Sequence, residues 1–184
     1  EDAHRQAVQI NPSNTRSWNS LGIIIYNQTK YAEAEEAFRY SVDTDPEDSI
    51  TWKDLGDALK EQGKYSEAEQ AYKNAINISP RDSLFWGRLG YVLNLEGKII
   101  EAVDAYRRST DLDPENSMIW RNLSHCLGDL KRYVEAEEAA RHSIDFDAEH
   151  VGAWISLGVS LHRQAKYVEA EEAYRRSIDF DPQA

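Results

Sequence analysis

The chain has 184 residues, a net charge of −12 and 41% hydrophobic content. That acidic surplus argues against nonspecific nucleic-acid binding, which depends on neutralising phosphates. No apolar run approaches bilayer length, no secretory pattern opens the chain, and the single Cys126 cannot form an internal disulfide, so a cytoplasmic setting without membrane association is expected.

Tryptophan recurs at Trp18, Trp52, Trp86, Trp120 and Trp154, always 34 residues apart, so one small unit is copied in series. Residues 1–14 place Ala7 and Pro12 on the unit's small and proline positions and read as the end of a preceding unit, a lone helix. Full units follow at 15–48, 49–82, 83–116, 117–150 and 151–184. Three residues after each tryptophan stands a leucine, then a glycine (Gly22, Gly56, Gly90, Gly158), with Ser124 as the exception. Ala34, Ala68, Ala102, Ala136 and Ala170 recur next, and a proline closes each unit except at Ala148.

The apolar spacing within a unit has helical period. Trp52, Leu55, Ala58 and Leu59 share one stripe over 49–62, and Tyr65, Ala68, Tyr72, Ala75 and Ile76 share another over 65–78. Gly63 and Gly97 stand where the first helix ends in a left-handed residue; Thr29, Lys131 and Ala165 occupy that place at some local strain. Asp48, Asp82 and Asn116 are predicted N-caps, whereas the junction 148–151 lacks both the proline and a good cap and should be the softest. The five tryptophans are assigned to the core. The acidic runs 33–36 and 135–138 read as a solvated outer wall.

These residues, in this order and at this period, resemble the tetratricopeptide repeat (TPR) along the whole chain. The resemblance implies an all-α TPR solenoid, a right-handed superhelix of antiparallel helix pairs with eleven helices in all. Residues 1–184 read as a single array, excerpted from a longer protein because neither end carries a polar capping element. Contact between the uncapped ends predicts end-to-end self-association.

In this family the first helix of each unit lines a concave groove. Carrying its groove positions across gives Asn19, Ile23 and Tyr26; Ile50, Lys53 and Asp57; Leu84, Tyr91 and Asn94; Met118, Arg121 and His125; and Ile155, Val159 and His162 as candidate partner-binding residues. Leu95, Gly87, Gly128 and Arg163 fall on the same set of positions. The mixed apolar and mildly basic lining predicts a protein or peptide ligand with apolar anchors and some acidic residues. The family's clamp for a terminal carboxylate is missing, because Asp57, Arg88, Met118 and Asn122 stand where its asparagines and final basic pair belong.

Chemistry finds no support. The five histidines show no metal-ligand spacing, and His125 and Cys126, adjacent on a helix, point about 100° apart. No phosphate-binding glycine loop is present. No catalytic, cofactor or metal site is expected, and the chain reads as a non-catalytic interaction scaffold. The alternative is a structural, targeting or self-associating segment of a larger enzyme or assembly.

Overall fold

The computed structural model describes residues 15–181, and every regular element among them is an α-helix. In chain order these are α1 (Thr15–Tyr26), α2 (Tyr31–Thr44), α3 (Ser49–Glu61), α4 (Tyr65–Ile78), α5 (Ser83–Leu95), α6 (Ile99–Leu112), α7 (Ser117–Asp129), α8 (Tyr133–Phe146), α9 (Val151–Arg163) and α10 (Tyr167–Phe180). The lone helix expected within 1–14 lies outside the described residues. The chain forms two compact units, the first ending at Glu96 and the second beginning at Gly97.

Within the first unit α1 pairs with α2 and α3 with α4, while α2 packs on α3 and α4 on α5. The second unit repeats the scheme: α7 pairs with α8 and α9 with α10, α6 packs on α7 and α8 on α9. Small residues set the crossings. Ala34, Ala68, Ala102 and Ala136 are completely buried. Gly22 and Gly158 lie directly under the rings of Phe38 and Tyr174, where a Cβ would come within 2.5 and 2.6 Å.

Helix ends follow the sequence closely. Asp48 and Asp82 each accept a hydrogen bond from the amide two residues on, and Asn116 accepts one from Ile119. His150, opening α9, makes no side-chain cap. Between paired helices the backbone is left-handed at Gly63 and Gly97, and also at Thr29, Lys131 and Ala165, with φ of 61°, 60° and 61°. The strain read at those three positions is present, because a Cβ crowds the backbone there.

Two expectations are corrected. The tryptophans are half-buried rather than core. Trp52, Trp86 and Trp120 turn the indole N–H outward to the carbonyl of the preceding unit's proline, at 2.8, 3.0 and 2.7 Å. An indole carries one donor that must be satisfied, so it sits at the rim of the core and pins the turn. Trp154 bonds Ala148 in the same way at 2.7 Å, so the turn survives the missing proline.

The acidic runs are not wholly solvated either. Glu35 and Glu137 are buried. Glu137 accepts from Gln164 Nε2 at 2.7 Å, Lys166 Nζ at 2.8 Å and Arg141 Nη2 at 2.8 Å. In the first unit Gln62 and Lys64 grip Glu35 at 2.8 and 2.7 Å, with Arg39 at 2.9 Å. The same glutamines also donate to backbone carbonyls of the preceding repeat, Tyr31 and Tyr133. Each glutamate therefore staples one repeat to the next. Burial would raise the Glu137 carboxyl, but the bonds from Lys166, Arg141 and Gln164 outweigh it and take the group down to about 2.

Candidate partner-binding faces

In the first unit the first-helix positions divide by chemistry. Ile23, Ile50, Leu84, Tyr91 and Leu95 are exposed, between 40% and 50%. Packing covers part of each side chain and leaves the rest to solvent. Leu84, Arg88, Tyr91 and Leu95 follow one another at three- and four-residue steps along α5 and so share a stripe. Lys60 Nζ stands 5.6 Å above the Tyr91 ring, a cation–π distance. Asn94 is half-buried beside this stripe.

Asn19, Lys53 and Asp57, polar candidates of that unit, are committed internally. Asn19 donates to Thr51 Oγ1 at 2.7 Å and to Asp54 at 3.3 Å, tying α1 to α3. Lys53 bonds Asp54 and lies 3.5 Å from Asp57. Asp57, expected to face a partner, is buried. It accepts the Tyr72 hydroxyl at 2.7 Å, and Arg88 Nε approaches to 3.5 Å. A buried carboxylate needs these partners, and they turn it from a docking group into a strut. Burial, then the nearby Asp57 and Glu61 charges, pushes the Tyr26 phenol up to about 12. A cleft of about 210 Å³ opens between Ile23, Tyr26, Lys53 and Asp57. Gly87, on a groove position, is buried as well.

In the second unit Met118, Ile155 and Val159 are exposed. Arg121 is half-buried and donates to Asn122 at 2.8 Å. His125 faces Asp129 at 3.4 Å, and exposed His162 meets the Tyr167 ring edge-on at 5.5 Å. A pocket of about 400 Å³ opens between α7 and α9, with Ile155 and Val159 on one wall, Ser124 and Gly128 on the other, and Lys131 and Arg163 at its edge. Lys131 lies outside the groove positions, at the left-handed turn that follows α7.

Cys126 is fully buried. Burial, with a smaller push from Asp129, raises its thiol to about 12, so the thiolate needed for nucleophilic chemistry is suppressed. Among the described residues no three His, Cys, Asp or Glu side chains come together as a metal site would require. No helix among them is long and apolar enough to cross a membrane.

Stacked helical hairpins with apolar side chains left exposed along their first helices define a repeat scaffold for protein interaction. The sequence profile of the tetratricopeptide repeat matches residues 1–49, 53–116, 96–149 and 139–184, and the chain belongs to that family. Comparison with curated protein sequences finds no match. Among solved structures, the fold is similar to that of YrrB, a TPR protein with an unusual peptide-binding site, at a TM-score of 0.85 and 17% identity, over 98% of this chain and 93% of that one. It is also similar to MamA of Desulfovibrio magneticus RS-1, at 0.85 and 16% over 91% of this chain and 95% of that one. For PilF of Pseudomonas aeruginosa the values are 0.80 and 18%, over 92% and 78%. At these identities the likeness speaks for the fold alone.

Proposed function

We propose that this chain is a non-catalytic scaffold whose first-helix faces bind a peptide or a helix of another protein. The observation that carries the reading is the set of apolar side chains left exposed at groove positions, from Ile23 and Tyr91 in one unit to Met118 and Ile155 in the other. Exposed apolar surface interleaved with cations suits a segment with apolar anchors and acidic residues. The peptide-binding site of the similar YrrB favours the same reading.

The test is selection of binders from a displayed peptide library, followed by variants. Tyr91→Ala or Arg121→Ala should weaken a bound peptide by more than about 1 kcal/mol and leave the helical spectrum unchanged. Glu138→Lys on the exposed outer face should matter far less. Loss of binding in Glu138→Lys with no effect of either groove variant would overturn the reading.

The outward face of α10 favours a second reading, self-association. Tyr167, Val168 and Ile178 are exposed there, and Glu171, at the repeat position of Glu35 and Glu137, pairs with Arg175 among the described residues. Exposed apolar surface of this kind suits contact with a second copy of the chain. Sedimentation that stays monomeric to high concentration would count against it.

A further inference from the structure

We infer that the pocket between α7 and α9 receives one apolar side chain of a partner segment whose flanking residues are acidic. This rests on the groove-binding reading and narrows it to one place and one ligand chemistry. The pocket exists because the fourth repeat has lost a side chain. Gly128 stands where the other repeats carry Tyr26, Lys60, Asn94 and His162, and a Cβ built there would meet nothing within 4 Å. The space so opened is about 400 Å³, and Ile155 and Val159 give it an apolar wall.

Charge selects what surrounds the anchor. Arg132, Arg141, Lys166 and Arg175 of the same unit each hold a glutamate. Lys131 and Arg163 at the pocket edge enter no ion pair among the described residues. Asp129, the acidic residue in the lining, lies 3.4 Å from His125, and its carboxylate offsets one of the two positive charges. With Lys131 and Arg163 against Asp129, the lining carries a net positive charge on a chain of net charge −12, which favours acidic groups there. The two cations come from different elements, the α7–α8 turn and the last turn of α9. Both stand at the C-terminal ends of their helices, so acidic side chains beside the anchor meet this edge of the pocket.

The test uses fluorescein-labelled, C-terminally amidated peptides with a central leucine flanked by Asp/Glu, by Ser/Gly or by Lys, followed by anisotropy on the intact chain. The acidic leucine peptide should bind, and replacing its leucine by serine should weaken it about tenfold or more. Gly128→Leu fills the pocket and favours the helix, so it should cut affinity by a similar factor with no loss of thermal stability. Lys131→Gly should weaken binding while stabilising the fold, because it also releases a left-handed backbone. Equal binding of the Ser/Gly-flanked peptide, a preference for a free C-terminus, or no binding by any of the three overturns the inference. Insensitivity to Gly128→Leu overturns it too; if Tyr91→Ala then weakens the same peptide, the broader groove reading stands.

Discussion

Ser124 donates its hydroxyl to the carbonyl of Ala136 at 2.7 Å, across the crossing of α7 and α8. In the helix pairs α1–α2, α3–α4 and α9–α10 the position of Ser124 is a glycine lying under an aromatic ring, and the ring's position in the fourth repeat is Ala140. With the ring gone, the neighbouring helix has room for a Cβ and an oxygen. The exception in the glycine series and the exception in the aromatic series are one event.

This coupling is measurable. Gly56→Ala puts a Cβ 2.6 Å from the Tyr72 ring. It should therefore destabilise by about 1–3 kcal/mol, although alanine is the better helix former. Ala140→Tyr should be destabilising by itself and rescued when combined with Ser124→Gly. Denaturant titration of the double-mutant cycle checks it; additive effects would show that the two positions do not share a space.

The left-handed residues supply a second prediction. Thr29→Gly and Ala165→Gly should each stabilise by roughly 0.5–1 kcal/mol, because the Cβ penalty at positive φ disappears. Gly63→Ala should destabilise by a similar amount even though its Cβ would touch nothing, since φ is +74°. A neutral result for Gly63→Ala in thermal denaturation would refute the strain argument.

Glu137 makes the fold acid-sensitive. Its carboxyl lies near 2 when folded against an ordinary value of 4.5, so the unfolded chain binds the proton more readily. Its stabilisation is complete above about pH 4.5 and is lost as pH falls toward 2. Glu137→Gln should be less stable than the parent at neutral pH, and the gap should close across that window. Stability measured from pH 7 down to pH 2 decides it; a constant gap would mean the carboxylate's charge contributes nothing.

The entry to α9 gives a fourth prediction. His150 supplies no side-chain cap, yet Trp154 still pins the turn through Ala148. His150→Asp should then stabilise by about 0.5–2 kcal/mol, with Ala148→Pro adding less. Amide exchange should be faster at 146–152 than at 112–118 in the parent, and the difference should shrink in His150→Asp. Equal protection of the two turns in the parent would show that the cap is immaterial.

Helix positions, caps at Asp48, Asp82 and Asn116, and the strained turn at Thr29, Lys131 and Ala165 were all legible in the sequence. Each depends on a few neighbouring residues whose backbone preferences and hydrogen-bonding groups act locally. The repeat period supplied the rest of the architecture, because a hairpin that cannot bury its own apolar face must stack on its neighbours.

Whether a polar side chain faces out or inward was another matter. Glu35, Glu137 and Asp57 look like surface acids on any helical wheel, yet each is buried against groups 15 to 31 residues away or on a different helix, among them Tyr72 and Gln164. The tryptophans look like core, and Trp52, Trp86, Trp120 and Trp154 sit at its rim because a carbonyl six residues back satisfies the indole. The pocket beside Gly128 depends on what α9 places opposite it. Periodicity reports which face of a helix is apolar; which polar group is buried, and which space stays open, is set by partners brought together only when the repeats pack.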